Sequence, residues 1–97
     1  MSNGRSEKRI ERTVSVEVCL QDERKLREMA LTENVSAHCA RVLVERKLHP
    51  GQRVLVSSVK EGMRSQGRIV YCQCVSVRSF AVGLELSGRV EQWTRPY

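Results

Sequence analysis

Aromatic side chains are scarce in this chain: Tyr71, Phe80, Trp93 and Tyr97 are all that its 97 residues hold. A surface that stacks successive bases in series has little to be built from. Long apolar runs are missing too. None approaches the roughly 20 residues of a membrane-spanning helix, and the opening MSNGRSEKRIER lacks the apolar centre of a signal peptide. The chain therefore reads as cytoplasmic, with no membrane partner, and its four cysteines as reduced thiols. No glycine loop leads into a helix to cradle phosphate, and no His-Glu spacing suggests a metal hydrolase. Catalysis is not expected.

The cysteines are poorly arranged for a metal. Structural zinc sites pair their ligands two to four residues apart on tight turns. Here Cys72 and Cys74 have a single residue between them, inside a strand-like run, while Cys19 and Cys39 stand alone. They are expected as small core fillers, with no metal and no cofactor. His38 and Cys39 are adjacent, so in a strand they point to opposite faces and make no nucleophile–base pair.

What is present is positive charge and alternation. Seventeen Lys and Arg against eleven Asp and Glu give a net charge of +6, which favours an anionic partner. Residues 1–12 carry Arg5, Lys8, Arg9 and Arg12 among glutamates and read as a flexible basic arm. From Thr13 the pattern changes. Val14, Val16, Val18 and Leu20 alternate with polar residues, the period of a half-buried strand. Residues 27–32 (REMALT) suit a second strand, although a helix over 23–31 satisfies the same composition. Residues 39–44, 52–59, 68–77 and 79–86 supply four more strands, with a Pro50-Gly51 turn and a polar stretch between Gly62 and Gly67. Six strands at nearly even spacing predict an antiparallel barrel or sandwich. The barrel is expected over residues 13–88, and residues 89–97 as a short helix or strap.

The stretch ENVSAHCARVLV brings Asn34 and Ser36, two residues apart, to the start of a strand. Such side chains can bond base edges or phosphate oxygens, and an arginine arm supplies forked donors and a stacking face. In residue order the chain resembles the PilZ domain family, bacterial receptors for cyclic di-GMP. Asn34-Val35-Ser36-Ala37-His38-Cys39 resembles the family's Asp/Asn-x-Ser-x-x-Gly, and Lys8 and Arg12 stand where its Arg-x-x-x-Arg belongs, with Arg9 beside Lys8. Less specific likenesses run through Leu48 to Val54, Gly67 to Val70 and Ala81 to Leu86.

The resemblance implies an all-β fold, a six-stranded antiparallel PilZ-type barrel with a strand at residues 27–32. It also implies a non-catalytic role in signalling: cyclic di-GMP is bound by Lys8, Arg9, Arg12, Asn34, Ser36 and Cys39, and the signal passes to a protein partner. Two departures define the alternative, a degenerate module that binds a protein and no nucleotide. Lysine at position 8 loses the guanidinium fork. Cysteine at position 39 replaces a glycine, and if that backbone is left-handed, its Cβ costs about 1–2 kcal/mol. Against the roughly 6–7 kcal/mol of a tens-of-micromolar complex, such a loss is decisive. Nucleic acid, a disfavoured third partner, would bind with a steep salt dependence.

Overall fold

The computed structural model describes residues 9–21 and 27–93. Seven strands follow one another: β1 (Ile10–Glu11), β2 (Ser15–Leu20), β3 (Arg27–Val35), β4 (Cys39–Val44), β5 (Arg53–Ser58), β6 (Met63–Ser76) and β7 (Ser79–Leu86). They pair antiparallel in the order β1-β3-β2-β5-β6-β7-β4, and β4 returns to pair with β3. That last pairing closes β2 to β7 into a six-stranded barrel, with β1 as an extra short strand on β3. No α-helix occurs among the described residues.

Alternation in the sequence becomes inside and outside of the barrel. Val16, Val18, Leu20, Val42, Val44, Val54, Val56, Ile69, Val82 and Leu84 fill the interior, most of them β-branched residues that suit a pleated, curved sheet. Residues 27–32 are strand rather than helix. Ala30 and Thr32 face in, Met29 and Leu31 face out, and β3 is paired along both edges. In the β3–β4 ladder, Thr32 opposes Val42 and Asn34 opposes Arg41, so Glu33 is the extra residue of a bulge. The bulge shifts the phase by one and turns Val35 into the core.

Three expectations are corrected. The polar stretch after Gly62 is not a connection but the first third of β6, because β5 needs a partner: Val56 opposes Ser65 and Val54 opposes Gly67. The arm does not reach to residue 12 as free chain. Ile10 and Glu11 pair with Val35 and Asn34, continuing the line of β2 along the same edge of β3. None of the cysteines is buried within the core, although Cys72 packs against it. Cys19, Cys39 and Cys72 are half-buried and Cys74 is exposed.

Two side chains do work that composition did not suggest. Thr32, 2% exposed, accepts the Val14 N–H at 2.7 Å and donates to the Arg12 carbonyl at 2.5 Å, fastening the chain between β1 and β2. Near the C-terminus, a 3-10 turn at Glu91–Trp93 carries Trp93 into the core with no exposed surface. The Val90 N–H bonds to the Ala37 carbonyl at 2.8 Å, so this turn sits against the β3–β4 connection.

Candidate functional site

The β3–β4 connection and the end of the arm meet, and the meeting point is polar. Asn34 lies at the end of β3, between Glu11 on one side and Arg41 on the other. The Arg9 guanidinium donates through Nη1 to Asn34 Oδ1 at 2.9 Å, on the exposed surface. β1 makes this contact possible, because its pairing with Asn34 and Val35 brings the neighbouring Arg9 beside the lip.

The remaining expected residues are placed differently from one another. Ser36 is buried, its N–H bonded to the Cys39 carbonyl at 2.8 Å across the turn. It therefore shapes the connection from beneath while Asn34 stands half-exposed above it. Arg12 turns to Glu61, in the β5–β6 turn, with Nη2 and Oε1 3.0 Å apart and only 13% and 14% of the side chains exposed. Cys39 opens β4 opposite Glu85 and is half-buried. No described residue other than glycine has a positive φ, so the backbone at Cys39 carries none of the left-handed cost set out above. Lys8 lies outside the described residues.

Next to Asn34 the outer face of the barrel holds a cluster that strand patterns did not reveal. Arg41 donates through Nε to Glu33 Oε1 at 2.7 Å, and through Nη1 to the Tyr71 hydroxyl and Gln73 Oε1, each at 3.0 Å. The bulge gives Glu33 its place beside Arg41. The Glu33 hydrogen bond and the Tyr71 hydroxyl hold the Arg41 pKa above its ordinary value, so the guanidinium stays charged. The Tyr71 ring lies over Gly83, where an added Cβ would come within 2.2 Å of Cε2. Gly83 thus makes room for an aromatic face beside a fixed cation. Its position opposite both Arg41 and Tyr71 comes from barrel registers and from no local motif.

Sequence spacing held one signal that the Lys8–Arg12 reading passed over. Arg5 and Arg9 also stand four apart, with an arginine at both positions. An open cleft of about 630 Å³ is lined by Arg53, Arg68, Glu85, His38 and neighbours, and Asn34 is not part of its lining. Arg68 there is bonded to Glu85 at 2.9 Å. Among the described residues, no three His, Cys, Asp or Glu side chains are gathered as a metal would need. None of their helices is long and apolar enough to cross a membrane.

A closed β-barrel with a polar lip, and a short strand paired beside it that sets Arg9 against Asn34, is an arrangement suited to binding a small ligand. Residues 3–94 match the PilZ domain, and the chain belongs to that family, a family of non-catalytic binding domains associated with cyclic di-GMP. No curated protein matches the chain.

Proposed function

We propose that this PilZ domain is a receptor for cyclic di-GMP that relays the second messenger to a protein partner. The observation that carries the reading is the Arg9–Asn34 hydrogen bond at 2.9 Å, which sets a forked cation and an amide side by side on open surface. A phosphodiester accepts from such a fork, and a guanine edge pairs with such an amide. Arg41 and Tyr71 extend the same surface with a second cation and a ring face. Cys39 keeps ordinary strand geometry, so its cost to the ligand is reduced to the room its thiol takes. Arg5 or Lys8 completes the arm's basic set, and Ser36 supports the lip from below.

One observation favours the alternative, a protein-binding module without nucleotide. Arg12 is already engaged with Glu61, both largely buried, so using it for a ligand requires exchanging partners. Titration calorimetry of cyclic di-GMP into the wild type, Arg9→Ala, Arg5→Ala and Asn34→Ala separates the two. The receptor reading expects saturable heat from the wild type and an affinity at least tenfold lower in Arg9→Ala and Asn34→Ala. Weakening by Arg5→Ala to the same degree assigns the arginine pair to positions 5 and 9. No saturable heat from any of the four proteins supports the protein-binding module.

A further inference from the structure

β6 is 14 residues long, and β5 accompanies only its first part, from Met63 to Arg68. At Ile69 both backbone groups are still used: its N–H bonds to the Gln52 carbonyl and its carbonyl accepts from Gly51. There the Pro50-Gly51 turn carries the neighbouring chain away. Beyond that point β6 pairs with β7 alone, as far as Ser76 opposite Ser79. Among the described residues, nothing pairs with the other edge of residues 70–76. In an antiparallel ladder, about half the residues of such an edge strand point both N–H and C=O away from their partner.

The composition of this edge is unusual for an exposed one. Residues 69–77, IVYCQCVSV, contain no charge, no proline and no glycine, in a chain with 17 basic and 11 acidic residues. Val70 is 50% exposed, Val75 48% and Val77 94%. Soluble proteins ordinarily guard an edge with lysine, proline or a covering segment. Here the register irregularities at Val70 and Val75 bound it, and Tyr71 to Cys74 between them run regularly.

We propose that this edge is a self-association surface, on which a second copy of the chain adds its own β6 antiparallel across a two-fold axis. The choice of occupant follows from charge and pattern. The strand itself carries no charge for an anionic partner, and its cationic neighbour Arg41 is already paired with Glu33. Elsewhere two copies of a +6 chain repel. The same strand reversed is uncharged and β-prone, and with the axis at Gln73 it sets Tyr71 against Val75, an aromatic–β-branched pair.

Symmetry narrows the register further. Hydrogen-bonded and non-hydrogen-bonded pairs alternate along the ladder, so a two-fold axis must pass beside a residue and its own copy. Among the four regular residues, an axis at Tyr71 would set Cys72 against Val70 and Cys74 against the charged Arg68, which disfavours it. The remaining axis residues are Cys72, Gln73 and Cys74. The three choices oppose Cys72 to Cys72, Cys72 to Cys74, or Cys74 to Cys74. Every one places a thiol across from a thiol, at a Cα separation of about 4.5–5.5 Å that a disulfide can span.

Sedimentation equilibrium of the full chain under reducing conditions, with diamide cross-linking in parallel, tests this. Diamide takes two electrons and two protons from a facing pair of thiols, leaving a disulfide and its own hydrazine. The wild type is expected to dimerise with rising concentration and to cross-link through Cys72 or Cys74, as peptide mapping would report. Cys74→Lys puts a charge at or within two residues of the axis in each register, and should raise the dimer dissociation constant at least tenfold. Concentration-dependent amide exchange protection at Tyr71 to Ser76 in the wild type gives a readout that needs no variant. A wild type that stays monomeric to about 500 µM, tighter than which any Kd would give about −4.5 kcal/mol or better, overturns the proposal. So does a dimer cross-linked through Cys19 or Cys39, or one indifferent to Cys74→Lys.

Discussion

Replacing Thr32 by valine keeps the volume and β-branching of the side chain and removes only its hydroxyl. That hydroxyl accepts the Val14 N–H at 2.7 Å and donates to the Arg12 carbonyl at 2.5 Å, in a residue 2% exposed. Val14 is itself buried, so its N–H is left without a partner and without water. A buried donor stranded in this way costs about 1–3 kcal/mol, and the lost second bond adds about 1. The expected destabilisation is about 2–4 kcal/mol. For a domain of this length, 1 kcal/mol moves the melting temperature by about 4–8 °C, so the midpoint should fall by roughly 10–30 °C in a thermal melt followed by circular dichroism. Thr32→Ser is the control. It keeps the hydroxyl and loses one methyl, at about 1 kcal/mol. Because the same residue fixes the chain between β1 and β2, Thr32→Val should also raise the exchange rate of the Ile10 and Glu11 amides. A drop under about 3 °C with unchanged exchange would refute the fastening role.

Trp93→Ala empties a wholly buried site and is expected to cost about 3–5 kcal/mol in chemical denaturation. Trp93→Phe should cost clearly less than Trp93→Ala, since the smaller ring refills part of the site and the indole N–H has no hydrogen-bond partner to lose. Gly83→Ala drives a Cβ into the Tyr71 ring and should destabilise by about 1–3 kcal/mol, a loss that Tyr71→Ala restores in a double-mutant cycle. Glu61→Gln removes the carboxylate from Arg12 in a largely buried pair. The fold should lose about 3–5 kcal/mol by denaturation, while affinity for cyclic di-GMP rises if the freed guanidinium reaches the ligand.

The interior of the barrel was legible where a strand alternates on its own account, as β2, β4, β5 and β7 do in sequence. Residues 39–44 and 79–86 begin and end where the valines and leucines suggest. β3 was ambiguous, since Leu, Met, Glu and Ala suit a helix equally and only pairing on both edges decides for strand. The first third of β6 was hidden for a related reason. Its outward residues are polar, and Gly67 reads as punctuation until Val54 is seen opposite.

At the site, the residues that came from spacing and those that came from packing divide clearly. Asn34, Ser36 and Arg9 stand close in sequence to strand ends and could be named in advance. The Glu33 bulge depends on the partner strand, Tyr71 on a register across β6 and β7, and the Arg12–Glu61 pair on two positions 49 residues apart. None of these is local, so no window of sequence contains them. Cys39 changed its meaning most, because its penalty rested on a backbone conformation that the strand does not adopt.

The most direct test of the receptor reading is a titration of cyclic di-GMP into the ¹⁵N-labelled chain, followed by amide and side-chain NMR shifts. The account predicts saturable shifts at Arg9 to Arg12, at the Asn34 side-chain amide, at Ser36 to Cys39 and at Arg41. Absence of shifts up to about 100 µM free ligand, a Kd weaker than about −5.5 kcal/mol, would contradict it. So would saturable shifts confined to the Arg53 and Arg68 cleft.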